Sequence, residues 1–154
     1  MSYDIEHIFS LIDCNQEIKK QEAGIKAARE IDEIVSFILP MHPSYNKNVW
    51  ENCAKILSYK TDSELLPYLP ELLEWLQDLN WPGAFIIIER LILFDGVLLL
   101  NPYVKAIEKA KKYSKDDQQW YDHLTILINN KSLSKKMDKI LLDELSNRCE
   151  EFWH

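Results

Sequence analysis

An acid, an amide and an aromatic ring lie close together in the sequence at Asp78, Asn80 and Trp81. At the start of a helix, such a set can bind a ligand or a partner peptide through hydrogen bonds and ring contacts. The same side chains can instead stabilise the chain itself, because Asp and Asn accept hydrogen bonds from the free N–H groups of a helix start. We expect the structural role to dominate.

Glu89 and Arg90 are the only charged residues between Trp81 and Phe94. Their neighbours one helical turn away are apolar, so we expect salt bridges to adjacent helices, with a concave binding face as the alternative. A small enzyme that uses Asp78 with these two charges on a small molecule or a nucleotide is the rival function. A Glu without a His or Asp at a defined spacing is a weak general base, so we assign no catalytic residue.

Other chemistries lack their motifs. The sequence contains no H-E-x-x-H and no C-x-x-C, and its three glycines are too few for a phosphate-binding loop or a nucleophile elbow. We therefore expect no metal and no cofactor. The cysteines are odd in number and far apart, which predicts a reducing cytoplasm. The cysteines are Cys14, Cys53 and Cys149. The histidines are also scattered and are His7, His42, His123 and His154.

The chain has 154 residues, a formal net charge of −7 and 47% hydrophobic residues, which predicts one folded acidic domain. The negative charge disfavours general nucleic-acid binding. A lysine strip is best explained as a solvated helix face, with a contact for acidic partners or nucleic acid as the alternative. It comprises Lys105, Lys109, Lys111, Lys112 and Lys115. No signal peptide is evident, and the apolar run 83–88 is shorter than the ~20 residues of a membrane span.

The candidate residues lie in the stretch 65–94, which predicts two helices joined by a corner at 77–82. A residue before Pro avoids helical geometry, so Pro82 should begin the second helix and Trp81 should lie at its cap. That helix, through Phe94, is apolar nearly all round and should lie in the middle of the fold. Gly96 should end it, and Asn101-Pro102 should open the next helix.

Hydrophobic spacing predicts further helices over 2–13, 25–39 and 44–59, with Gly24 as a break. Thr61 and Glu64 form the pattern of a capping box. Helix caps or ends are also expected at Ser2, Pro40, Pro43, Asp116 and Ser134, and a helix restart at Pro70. No segment alternates with period two, so the predicted fold class is all-α.

A D-x-x-W pattern occurs at Asp78 to Trp81 and again at Asp117 to Trp120, 39 residues later (117 − 78 = 39). A period near 40 built from two helices is typical of HEAT-type arrays. We therefore predict a HEAT-like stack of antiparallel helical hairpins in one domain over 1–154. It would comprise variable N-terminal helices over 1–60, helical pairs over 61–130 and a capping helix over 131–154.

Residues 69–91 resemble a family of small bacterial proteins known only as a domain of unknown function. The mark of that family is W-L-Q-D-x-N-W-P-x-A, and residues 75–84 match it at each position. The resemblance continues through Asn101-Pro102 and the second D-x-x-W, whereas the N-terminal 60 residues match poorly. The family is similar to HEAT-like proteins, which implies this fold and a bacterial cytoplasmic origin. No catalytic residue can be transferred from it.

The leading functional hypothesis is a protein–protein interaction module: an adaptor, a regulator or a toxin-neutralising immunity protein. One face of the helical stack would bind the partner, anchored by Trp75 or Trp120 if these rings are exposed. The enzyme is the second hypothesis and nucleic-acid binding through the lysine strip is the third. The oligomeric state is left open. The candidate partner-binding residues are Trp75, Asp78, Asn80, Trp81, Glu89, Arg90 and Trp120.

Overall fold

The structure is a computed structural model, and it describes residues 4–42, 44–113 and 117–154. Throughout these three ranges the regular structure is helical and no strand occurs, so the predicted all-α class is confirmed. Four residues used in the predictions above lie outside these ranges: Ser2, Pro43, Lys115 and Asp116.

The N-terminal region contains α1 (Ile5–Leu11) and α2 (Ile18–Arg29). The predicted break at Gly24 is wrong, because Gly24 lies inside α2. A Cβ at this position would lie 2.7 Å from Cγ2 of Ile12, so the glycine allows close approach of the two helices. The predicted helix over 25–39 is also wrong. The chain leaves α2 at Arg29 and continues through two 3₁₀ turns, Val35–Phe37 and Leu39–Met41.

The next helices are α3 (Trp50–Ser58), which follows a 3₁₀ turn, and α4 (Asp62–Leu65). The predicted capping box is confirmed at the start of α4. The hydroxyl of Thr61 accepts from the backbone N–H of Glu64 at 3.1 Å, and the Glu64 carboxylate accepts from the Thr61 N–H at 3.0 Å. A 3₁₀ turn then leads to α5 (Leu69–Glu74), which carries Pro70 in its first turn.

After α5, a 3₁₀ turn (Trp75–Gln77) and the corner lead to α6 (Ala84–Ile92). The predicted start at Pro82 and the predicted cap at Trp81 are wrong, because the residue before α6 is Gly83. Its φ of 88° lies in the left-handed region that glycine adopts without steric cost.

Helix α7 (Gly96–Lys111) begins at the residue that was predicted to end α6. The carboxylate of Asp95 accepts from the backbone N–H of Val97 at 2.9 Å and caps α7. The predicted helix start at Asn101-Pro102 is therefore wrong, and Pro102 lies inside α7. Proline removes the N–H partner of the Leu98 carbonyl, and Leu98 is exposed, so water can take that place.

The C-terminal region contains α8 (Gln119–Leu124), a 3₁₀ segment (Thr125–Asn129), α9 (Lys131–Lys136) and α10 (Lys139–Trp153). Ser134 lies inside α9, so its predicted role as the cap of the last helix is wrong. The carboxylate of Asp138 caps α10 instead and accepts from the backbone N–H of Leu141 at 3.2 Å.

Several helices pack on helices that are not their immediate neighbours in the chain: α3 on α6, α5 on α7 and α7 on α9. A hydrophobic cluster extends from Ile8 in α1 to Leu145 in α10. The HEAT-like order of these helices and the division into 1–60, 61–130 and 131–154 stay predictions. Within the part of the chain that the structure describes, no helix is long and apolar enough to cross a lipid bilayer.

Candidate functional site

The corner before α6 is held by a buried cluster of indole rings. Trp75 is 0% exposed, and its Nε1 donates to the carbonyl of Pro82 at 3.2 Å. The ring of Trp50, in α3, lies edge-on to both Trp75 and Trp81, with centroid distances of 5.8 and 5.5 Å. Edge-to-face contacts of this kind stabilise aromatic pairs beyond their buried area. We therefore define the corner cluster as Trp50, Trp75 and Trp81.

Polar groups of the corner bind the corner itself. A carboxylate oxygen of Asp78 accepts from the backbone N–H of Asn80 at 2.8 Å, and the Asp78 carbonyl accepts from the N–H of Trp81 at 3.1 Å. The Asp78 side chain thus stabilises the turn before α6, not the first N–H groups of the helix as the sequence suggested. Asn80 is exposed.

Arg90 forms the salt bridge expected from its apolar surroundings. Its guanidinium lies 2.5 Å from one carboxylate oxygen of Asp62 and donates to the carbonyl of Lys60 at 3.0 Å. The other Asp62 oxygen accepts from the backbone N–H of Asp95 at 3.0 Å, so this pair connects α4, α6 and the start of α7. Glu89 is exposed, and no ion pair of Glu89 occurs among the described residues.

Sequence reasoning missed a buried amide at Asn130. Its Nδ2 donates to the carbonyls of Leu91 and Phe94 at 2.9 and 2.8 Å, while its Oδ1 accepts from the backbone N–H of Leu133 at 3.1 Å. One side chain therefore supplies hydrogen-bond partners to backbone groups at the end of α6 and at the start of α9. An Asn directly before a helix is the sequence signal for the cap on α9. The long-range bonds to Leu91 and Phe94 leave no local pattern in the sequence.

Trp120 and His123 connect α8 to the end of α5. The indole Nε1 of Trp120 donates to the carbonyl of Leu73 at 3.0 Å, and Nδ1 of His123 lies 2.6 Å from the carbonyl of Leu76. A carbonyl only accepts, so this histidine nitrogen carries the hydrogen. Trp120 is only 4% exposed and Trp75 is fully buried. Neither ring meets the condition of exposure under which it was predicted to anchor a partner.

Two cavities adjoin Trp120. One, of about 130 Å³, lies between α5 and α7 and is smaller than a typical ligand pocket of about 300–1,000 Å³. The other, of about 330 Å³, is lined by Gln77, Tyr113, Asp117, Gln119 and Trp120. The residues of the rival enzyme hypothesis, Asp78, Glu89 and Arg90, line neither cavity.

The lysine strip is partly neutralised by ion pairs. Lys109 donates to Glu74 at 3.0 Å, and this hydrogen bond raises the pKa of Lys109. Lys111 donates to Glu144 at 2.9 Å and lowers the pKa of that carboxyl. These pairs leave fewer free cations for an acidic partner or for nucleic acid.

Helix α6 carries two apolar faces. Its inner face, which comprises Ala84, Ile87, Ile88 and Leu91, is buried in the core. On the opposite side Phe85 is 55% exposed and Leu93, the residue that ends the helix, is 79% exposed. The prediction that this helix lies in the middle of the fold is therefore wrong. We call Phe85, Glu89 and Leu93 the outer face of α6.

No group of three or more His, Cys, Asp or Glu residues in the described ranges is arranged to hold a metal ion. Cys53 lies in the core, where burial raises the pKa of its thiol and keeps it protonated. We take the outer face of α6 as the candidate site, because it leaves two large apolar side chains, Phe85 and Leu93, exposed.

A family model described as a domain of unknown function, DUF5071, matches residues 43–152. The chain belongs to this family. The match extends further towards the N-terminus than the sequence resemblance, since it includes residues 43–60. No curated protein and no solved structure matches the chain significantly.

The DUF5071 segment includes α3 to α9 and all but the last residue of α10, whereas α1 and α2 precede it. Both the corner cluster and the outer face of α6 therefore lie within the part of the chain that the family shares.

Proposed function

We propose that this DUF5071 protein is a cytoplasmic protein–protein interaction module, in the role of an adaptor, a regulator or an immunity protein. The observation that carries the proposal is the exposure of Phe85 and Leu93 on one helix. The three cysteines are unpaired, which agrees with a reducing compartment.

Single exposed apolar residues are common on protein surfaces, whereas contiguous ones mark interaction sites. Phe85, Glu89 and Leu93 are spaced by four residues, which places them along one side of α6. The first turn of α7 follows with two further exposed apolar residues, Val97 and Leu98. Aromatic side chains such as that of Phe85 are enriched at protein–protein interfaces relative to the rest of the surface.

The positions of the three residues named for the rival enzyme hypothesis support a binding module over an enzyme. Asp78 is engaged with its own turn, and Arg90 is engaged with Asp62. Glu89 lies on the exposed outer face. A catalytic site requires such groups to converge on a common space, which favours the proposal of a binding module over an enzyme.

The test is a quantitative pull-down from cells of the source organism. Three tagged proteins are compared: the wild type, the double variant Phe85→Ser/Leu93→Ser, and the control Ile140→Ser. Ile140 is 80% exposed and lies on α10, so the control removes an equally exposed apolar side chain elsewhere.

We expect a stoichiometric protein that is retained by the wild type and by Ile140→Ser and is lost from the folded double variant. The proposal is overturned if the double variant retains every protein that the wild type retains. It is equally overturned if Ile140→Ser loses the same protein, because the outer face would then have no special role.

A further inference from the structure

We infer that the outer face of α6 binds a basic amphipathic helix of another protein. This inference rests on the proposed function and names its partner by chemistry. Three features support it: the one charged residue on the outer face, the register that would pair two copies of α6, and the charges around the face.

Glu89 is the only charged member of the outer face, and it lies one helical turn from Phe85 and one turn from Leu93. A partner that covers both apolar side chains must also cover this carboxylate. A covered carboxylate needs a positive or hydrogen-bonding partner, because an unpaired buried charge is strongly unfavourable. The matching surface therefore has a cation between two apolar groups.

A second copy of this chain is a poor occupant, because Glu89 is the midpoint between Phe85 and Leu93. An antiparallel pair of α6 helices that places Phe85 on Leu93 also places Glu89 on Glu89. A parallel pair that places like residues together does the same. Juxtaposed like charges oppose association, so both registers that join the apolar residues are disfavoured.

A further carboxylate lies at the end of the outer face. Asp95 follows Leu93 by two residues, is exposed, and uses its carboxylate only to cap α7 in the contacts described. Arg90 forms a salt bridge with Asp62. Lys131 lies on α9 directly before Ser132, and the Ser132 hydroxyl accepts from the backbone N–H of Gly96 at 2.8 Å. The immediate surroundings thus leave Glu89 and Asp95 without a salt bridge among the described residues.

The overall charge agrees with this local pattern, since a chain of formal net charge −7 attracts basic partners over a longer range. The partner that fits is a helix with apolar residues four positions to either side of a Lys or Arg. Such a helix can lie along α6 and meet Phe85, Glu89 and Leu93 with one face.

The test uses two synthetic amphipathic peptides of equal length and identical leucine spacing. One has lysine at its polar positions and the other has glutamate. Fluorescence anisotropy of labelled peptide measures Kd for the full-length wild type, for Glu89→Lys and for the control Glu108→Lys. Glu108 is exposed on α7, so its substitution changes the net charge by the same amount at another place.

We expect the wild type to bind the lysine peptide at least about tenfold more tightly than the glutamate peptide, as a local charge pair can produce. Glu89→Lys should remove or reverse this preference, whereas Glu108→Lys should retain it. Phe85→Ser/Leu93→Ser should lose binding of the lysine peptide, whereas Ile140→Ser should retain it.

Three results overturn the inference: no preference in the wild type, an equal loss in Glu108→Lys and Glu89→Lys, or self-association in sedimentation that Leu93→Ser abolishes. These failures are distinct from failure of the proposed function. A cellular partner lost from the double variant would still support a binding module if the lysine peptide did not bind. A double variant that retained all cellular partners would end the proposed function itself.

Discussion

Two rings of the corner cluster, Trp75 and Trp81, lie close in the sequence to the outer face of α6, but the cluster packs against the core whereas the outer face is exposed. Both are built from large apolar side chains. The rings of the corner cluster contact one another and the carbonyl of Pro82, whereas Phe85 and Leu93 extend into solvent. The most distinctive residues of the chain therefore build the fold. The surface available to a partner consists of apolar residues that the core does not use.

Among the residues of these two regions, Trp75 is expected to have the largest effect on stability. Trp75→Ala removes a fully buried indole and its hydrogen bond, so the free energy of unfolding should fall by about 3–5 kcal/mol. Urea unfolding followed by circular dichroism measures this change. Trp81→Ala is the control, because Trp81 is half-buried and should lose less. Equal losses would contradict the greater burial of Trp75 as the reason for its larger effect.

Gly83→Ala should reduce the free energy of unfolding by about 2–5 kcal/mol. The left-handed backbone disfavours a Cβ by about 1–2 kcal/mol, and overpacking adds about 1–3 kcal/mol. The added Cβ would lie 2.6 Å from Cβ of Ala54 in α3. The same unfolding assay on Gly83→Ala, Ala54→Gly and the double variant gives the coupling between the two sites. A coupling near zero would show that the contact with Ala54 is not the source of the loss.

Asn130→Ala should destabilise the protein by about 2 kcal/mol, because it leaves the carbonyls of Leu91 and Phe94 without their donor. Asn129→Ala is the matched control in the same assay. Asn129 is exposed and its amide binds only the nearby carbonyl of Ile126, so we expect less than about 0.5 kcal/mol. If both variants lose the same amount, the long-range role of Asn130 is wrong.

The capping box at α4 predicts a smaller effect that depends on pH. The backbone N–H of Thr61 lowers the pKa of the Glu64 carboxyl. A lowered folded-state pKa contributes stability above the unfolded value of about 4.3, and this contribution is lost as pH falls through the folded pKa. The difference in free energy of unfolding between wild type and Glu64→Gln should therefore shrink from about pH 7 to about pH 3.

Thr61→Ala supplies the control for the pH dependence. With Thr61 substituted, the Thr61 hydroxyl no longer binds Glu64 and the box is weakened. The comparison of Thr61→Ala with Thr61→Ala/Glu64→Gln by urea unfolding should then show a smaller change with pH. An unchanged pH dependence would show that the Thr61 hydroxyl does not contribute to the lowered pKa of Glu64, which would then rest on the backbone N–H that Thr61→Ala retains.

Local patterns predicted the elements that depend on local contacts. The capping box at Thr61 and Glu64, the proline in the first turn of α5 and the all-α class follow from propensity and short-range hydrogen bonds. Two of the errors fall on glycines whose role is tertiary, Gly24 and Gly96. Gly96 was predicted to end a helix but begins α7, where a Cβ would lie 2.1 Å from the backbone nitrogen of Leu133. The sequence around Gly96 carries no sign of that contact.

The candidate site was less predictable than the fold, because hydrophobic type does not distinguish a buried face from an exposed one. Helix α6 is apolar on both sides, so its periodicity could not identify which side faces solvent. Trp75 and Trp120 were candidates for exposed anchors, but indole N–H groups also bind buried carbonyls, as both do here. The packing of α6 on α3, on the 3₁₀ turn after α5 and on the 3₁₀ segment after α8 leaves Phe85 and Leu93 outside.

The smallest expected effect on stability belongs to the outer face. Phe85→Ser/Leu93→Ser replaces exposed side chains, so each substitution should change the free energy of unfolding by no more than about 0.5 kcal/mol. Urea unfolding beside the Ile140→Ser control measures this. A loss comparable to that of Trp75→Ala would mean that these side chains stabilise the monomer, and the distinction between the two regions would fail. If stability is retained, any loss of binding reports the surface itself, because the fold that presents it is unchanged.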